Sequence, residues 1–154
     1  MKGNDKVIDI LNQRLSEELT AISQYMVHSE MCANWGFHKL HEAIEKQAID
    51  EMKHAEILIG RILFLEGTPT VSKLQKITIG KTVEEIVLVD ENAEADAVKA
   101  YNESIAACAA AGDNSSADML KNILLDEERH VDWGETQREM IRQMGLQVYL
   151  SNQV

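Results

Sequence analysis

Residues 49–67 read IDEMKHAEILIGRILFLEG, and residues 124–147 read LLDEERHVDWGETQREMIRQMGLQ. Each stretch carries Asp-Glu-x-x-His inside a run with helical periodicity. Ile44, Ala48, Glu51, Ala55, Leu58 and Ile62 share one face of the first run. Leu120, Ile123, Glu127, Val131, Gly134 and Ile141 share a face of the second. A glutamate interrupts each apolar stripe, at Glu51 and Glu127. A histidine follows one turn on, at His54 and His130, on the same helix face.

Working outward, the chain predicts four long helices. The first runs from about Asp5 to Asn34, with Ile8, Leu11, Leu15, Leu19, Ile22 and Met26 at the 3.6-residue period. The second runs from His38 to about Glu66 and ends before Gly67-Thr68-Pro69, because proline cannot continue the hydrogen-bond ladder. Residues 68–81 lack helical periodicity. Thr82 with Glu85 makes a capping box for the third helix, which stops at Gly112 after about Ala111. Ser115 is the predicted N-cap of the fourth, with Asp118 in its first turn, and that helix ends at Gly145 after Met144. Leu146 to Asn152 makes one short extra helix. Helices of this length are about 40 Å long at 1.5 Å per residue. Short first and last connections make antiparallel hairpins, and the middle connection travels the length of the bundle. The expected fold is all-α: a four-helix bundle with one long crossover and a short C-terminal fifth helix, in a single domain spanning 1–154.

The four long helices each place one glutamate in a core stripe: Glu18, Glu51, Glu94 and Glu127. Buried carboxylates are costly unless they share a cation or protons. A lone Glu-x-x-His is weak evidence, but the register is not. Glu18 to Glu51 and Glu94 to Glu127 are both 33 residues. Glu18 to Glu94, Glu51 to Glu127 and His54 to His130 are all 76. Two hairpins with that register bring four carboxylates and two imidazoles together around a pseudo-two-fold axis, the donor pattern of ferritin-like di-iron sites. Carboxylate and imidazole suit iron or manganese. Four carboxylates neutralise two divalent ions, with Glu51 and Glu127 bridging and Glu18 and Glu94 terminal. Positions left open admit an oxidant, so the inferred reaction is oxidation of Fe2+ by O2 or H2O2. Asp50 and Asp126 precede the two motif glutamates and are expected to orient the histidines crosswise between helices.

The net charge of −11 argues against a nucleic-acid partner and favours cations. No apolar run is long enough to cross a bilayer and no N-terminal signal pattern is present, so a cytoplasmic protein is expected. Cys32 and Cys108 form no CxxC pair and read as small buried residues. His28, His38 and His41 lack the repeated register and read as surface or packing residues. Tyr25 and Trp133 lie within two turns of the ligands, where core packing and electron supply are both open to them. Met52 lies about 100° round its helix from Glu51 and points away from the metals, along a second apolar strip with Ala48, Ala55 and Ile59. Taken alone, such a strip is a subunit contact.

At these residues the sequence resembles the bacterioferritins across essentially the whole chain. The two quoted segments carry the likeness, together with the opening MKGNDKVIDILNQRLSEELTAISQY. The symmetric pair of Glu-x-x-His motifs separates this family from ordinary ferritins and DNA-protecting mini-ferritins, and no cysteine-rich rubrerythrin domain is present. The resemblance implies a hollow 24-subunit homo-oligomeric shell storing ferric mineral. It implies ferroxidase activity with Glu18, Glu51, His54, Glu94, Glu127 and His130 holding two iron ions per subunit. It also implies a b-type haem, one per subunit pair, with Met52 of each chain as axial ligand at the two-fold, and a small ferredoxin as reductant for iron release. Two positions depart from some members. Lys46 stands where they place a histidine, which favours a di-iron pair that cycles as a stable cofactor. Leu58 stands where they place a tyrosine. Two other functions fit the same residues: a non-catalytic haem-binding shell subunit, and a di-iron oxygenase acting on an organic substrate through an apolar pocket beside the metals.

Overall fold

The computed structural model describes all 154 residues. Its elements are α1 (Asp5–Asn34), α2 (His38–Phe64), α3 (Val83–Ala110), α4 (Asn114–Met144) and α5 (Leu146–Ser151). The predicted all-α bundle, the single long crossover and the short fifth helix are all present. Thr82 caps α3 by accepting from Glu85 N. Gly112 and Gly145 take positive φ angles of 80° and 81° after α3 and α4, the conformation that lets a glycine end a helix.

Boundaries moved at two places. The second helix stops at Phe64, two residues before Glu66. The cap of α4 is Asp113 rather than Ser115. Its carboxylate accepts from Ser116 N at 2.9 Å and Ser116 Oγ at 2.6 Å, and takes Arg61 Nη2 at 2.8 Å. An ionised cap with a guanidinium behind it outcompetes a neutral hydroxyl. Asp113→Ala is expected to cost about 1–2 kcal/mol in denaturant unfolding, from the lost cap.

The helix order follows from pairs that cross the bundle. His28 meets Asp90, Tyr25 meets Glu94 and Tyr101 meets Glu18, so α1 and α3 are antiparallel neighbours. Arg61 meets Ser116 and His54 meets Asp126, so α2 and α4 are too. Two apolar clusters fill the bundle on either side of mid-height. One holds Leu11, Leu15, Leu58, Ile62, Leu120 and Ile123; the other holds Ile44, Val83, Ile86, Val87 and Tyr149. Met26, predicted in the first core stripe, is exposed instead, since it lies at the stripe's edge beyond Ile22.

The crossover is held by a polar stripe on α1 with a four-residue repeat. Asn12 Oδ1 accepts from Thr70 N at 2.7 Å, and Ser16 Oγ donates to Lys73 O at 2.9 Å. Thr20 Oγ1 accepts from Gln75 N at 2.8 Å, Gln24 Oε1 from Thr78 N at 3.1 Å, and His28 Nε2 from Gly80 N at 3.0 Å. Successive partners on the crossover lie two or three residues apart, against four on α1. Four helical residues rise about 6 Å, so a crossover somewhat short of full extension keeps pace with the helix. This strap satisfies backbone groups that have no secondary structure of their own.

Candidate metal centre

Glu18, Glu51, His54, Glu94, Glu127 and His130 meet between the two apolar clusters, all buried. Their ligating atoms form two overlapping groups: Glu18, Glu51, His54 and Glu127, and Glu51, Glu94, Glu127 and His130. Glu51 and Glu127 belong to both. Glu51 sends Oε2 to 2.9 Å from His54 Nδ1 and Oε1 to 2.9 Å from His130 Nδ1. Glu127 does the converse, with Oε1 at 3.2 Å from His54 Nδ1 and Oε2 at 3.5 Å from His130 Nδ1. Each of these carboxylates thus presents one oxygen to each half of the site. Glu18 and Glu94 each serve one half, at 3.7 Å from His54 Nδ1 and 3.4 Å from His130 Nδ1.

Both histidines turn Nδ1 inward and Nε2 outward. His54 Nε2 lies 2.9 Å from Asp126 Oδ2, and His130 Nε2 lies 3.5 Å from Asp50 Oδ2. The aspartates therefore face the histidine of the other Asp-Glu-x-x-His helix. A carboxylate on the outer nitrogen keeps a proton there and leaves the inner lone pair for a ligand.

The interior is short of hydrogen-bond partners. Glu51 Oε1, Glu127 Oε2 and His130 Nδ1 are buried with none, although the first and last approach one another closely. Burial disfavours the charged imidazoles, but the surrounding glutamates outweigh it and hold His54 and His130 up at about 12. Burial, with Glu94 beside it, pushes Glu51 well above the usual carboxylate range. Burial and Glu18 lift Glu127 to about 7. A divalent metal must displace the protons on these groups. Its affinity is therefore expected to rise with pH, most steeply below neutrality where Glu127 also holds a proton, with net proton release on binding. Titration calorimetry in two buffers of different ionisation enthalpy checks this; a pH-independent affinity with no released proton would contradict it.

The other singled-out residues fall in varied places. Tyr25 is buried and donates to Glu94 Oε1 at 2.6 Å. Trp133 is half-buried and lines a depression between α2 and α4 with Lys46, Asp50, Arg129 and His130. Cys32 and Cys108 are buried free thiols, each raised to about 11 by burial. His28 packs fully buried, His41 leans on Ser29, and His38 is exposed. Met52 is exposed on α2, but Ala48 and Ala55 are buried in the two apolar clusters and do not join it in an outer strip. They lie on the inward side of that helix, towards Glu51. Sequence reasoning missed Tyr101 as a site residue. It is buried and donates to Glu18 Oε1, and it stands 76 residues after Tyr25, the offset that relates the ligands.

Comparison with known proteins agrees with this architecture. Residues 8–144 match the model of the ferritin-like domain. The bacterioferritin of Rhodobacter capsulatus is 44% identical over 147 residues, covering 96% of this chain and 91% of that protein. Bacterioferritin BfrA of Mycobacterium tuberculosis strain H37Rv is 39% identical over 149 residues, covering 97% and 94%. The bacterioferritin of Streptomyces coelicolor is 38% identical over 151 residues, covering 98% and 90%. A shared domain, and kinship of this order along nearly the whole length, make this chain a member of the bacterioferritin family.

Proposed function

We propose that the protein stores iron and oxidises Fe2+ to Fe3+ at a di-iron centre held by Glu18, Glu51, His54, Glu94, Glu127 and His130. The observation that carries this is the set of buried, unpartnered donor atoms on Glu51, Glu127 and His130. All-protein hydrogen bonding leaves them unsatisfied, whereas two cations satisfy them together with the charge of four carboxylates. Glu51 and Glu127 would serve both metal positions and Glu18 and Glu94 one each, with Asp126 and Asp50 orienting the histidines. The iron pair supplies transfer of two electrons to O2 or H2O2.

A cavity of about 250 Å³ leads to the site between α1 and α3, under the crossover. Glu17 and Asp96 line it with Gln24 and Lys76, beside Glu18 and Glu94. The two carboxylates of Glu17 and Asp96 support an ion's approach, while Ala21, Ala93, Ala97 and Tyr101 also line the cavity. On the α2–α4 side Lys46 and Arg129 stand near His130. Their charge disfavours a further cation there and supports a di-iron pair that stays bound as a cofactor.

Met52, exposed on α2, would supply a thioether to a b-type haem shared by two copies, within a 24-subunit shell served by a small ferredoxin. A visible spectrum tests the haem; a Met52→Leu protein that kept full haem would overturn the axial role. Sedimentation tests the shell, and monomers or dimers alone would remove storage. No helix is long and apolar enough to cross a membrane, in keeping with a cytoplasmic shell.

For oxidation, Fe2+ is added without oxygen, O2 is then admitted, and the ferric absorbance is followed. Rapid oxidation is expected, lost in Glu18→Ala. No oxidation by the unaltered protein would sink the ferroxidase and leave a shell subunit.

A further inference from the structure

The two terminal carboxylates each accept a hydrogen bond from a buried tyrosine of the other hairpin. Tyr25, on α1, donates to Glu94 on α3; Tyr101, on α3, donates to Glu18 on α1. Both rings are 1% exposed. A buried phenol needs a partner, and each has a glutamate. Glu18 divides its oxygens: Oε1 takes the Tyr101 hydroxyl, and Oε2 lies 3.7 Å from His54 Nδ1, inside the site.

We propose that Tyr101 is a positioning residue of the metal centre: it occupies one oxygen of Glu18 and reserves the other for the metal. The inference rests on the metal-centre reading above. It makes the support of the site exchanged throughout between the hairpins. Asp126 of α4 faces His54 of α2, Asp50 of α2 faces His130 of α4, and the tyrosines cross between α1 and α3. Tyr101 lies over a cation, the Arg14 guanidinium 5.8 Å from its ring centroid, which helps fix the ring. Glu94 is held differently: its Oε1 both takes the Tyr25 hydroxyl and faces His130 Nδ1 at 3.4 Å.

The test uses the full chain and Co2+ as a spectroscopic stand-in for Fe2+, titrated without oxygen and read by visible absorption. The unaltered protein is expected to take two ions per chain. Tyr101→Phe keeps the ring and loses the hydroxyl. It is expected to bind one ion normally and the other about 10–100-fold more weakly, the usual cost of losing a partner behind a ligand. Its visible band should also weaken, because a freed Glu18 can bind through both oxygens and raise the coordination number. Tyr25→Phe, which removes a bond to the same Glu94 oxygen that faces His130, should weaken the other position instead. In a Glu18→Gln background, Tyr101→Phe should add nothing further. If Tyr101→Phe does not fold, Tyr101→Leu, which also lacks the hydroxyl, reads the same contrast. Unchanged affinity and spectrum, or an equal loss at both positions, would overturn the role of Tyr101 while leaving the metal centre standing. Failure of the unaltered protein to bind Co2+ would overturn both.

Discussion

Glu51→Ala is expected to empty both metal positions at once, whereas Glu18→Ala should weaken one of them. The difference lies in how the oxygens are shared. Glu51 places one oxygen beside His54 and the other beside His130, while Glu18 reaches only the His54 half. Losing a partner behind a ligand costs about 10–100-fold in metal affinity, so losing a bridging ligand should exceed about 100-fold. Ferrous oxidation should fall with it. The metal-free fold should not suffer. Burial raises Glu51 above its ordinary value. A carboxylate whose folded pKa is raised costs stability above its unfolded pKa, and that cost is absent at lower pH. Removing it therefore spares the apo-protein this cost at neutral pH. A metal stoichiometry, an oxidation rate and a melting curve on one variant check all three expectations. Retention of both metals would contradict the bridging role, and a collapsed melting temperature would contradict the site as a functional burden on the fold.

His28→Ala should be the most damaging change outside the metal centre. His28 is fully buried and joins three segments. Its Nε2 accepts Gly80 N–H, so the ring proton sits on Nδ1 and donates to Asp90 at 2.9 Å. Truncation leaves a buried carboxylate with Gln24 as its remaining side-chain partner, and strands the Gly80 amide. Losing the packed ring and both its hydrogen bonds costs about 3–5 kcal/mol. In a chain of this size that lowers the melting temperature by roughly 6–20 °C. Burial already raises Asp90 although His28 draws it down. Without His28 it rises further, and a raised carboxylate destabilises most at high pH, so the deficit should shrink on acidification. Removing both partners with apolar residues should cost less than removing one. An unchanged melting temperature in His28→Ala would show that the upper end of the strap contributes nothing.

These two sites differ in how far the sequence exposed them. The metal centre is legible because its glutamates break apolar stripes, and because one offset relates every member of one half to its twin. Tyr101 obeys that offset with Tyr25 and went unnoticed because an apolar stripe accommodates a tyrosine without remark. His28 was readable only as a packing residue, since its partners lie 52 and 62 residues away with no repeat to link them. The strap was hidden for a related reason. Asn12, Ser16, Thr20 and Gln24 look like one side of a solvated helix until an extended segment is laid along them. Asp113 displaced Ser115 as a cap because Arg61, distant in sequence, supports it. Met52 can be placed on an outer face by helical angle alone, but its alanine neighbours belong to the core because they sit on the Glu51 side.

Anomalous X-ray scattering at the iron edge, from crystals grown without oxygen and soaked in Fe2+, tests the central claim most directly. Two peaks per chain are expected, roughly 3.5–4 Å apart as in other paired-metal sites. One should lie among Glu18, Glu51, His54 and Glu127, and the other among Glu51, Glu94, Glu127 and His130. A single peak, or iron bound elsewhere with these six side chains still paired to one another, would contradict the account.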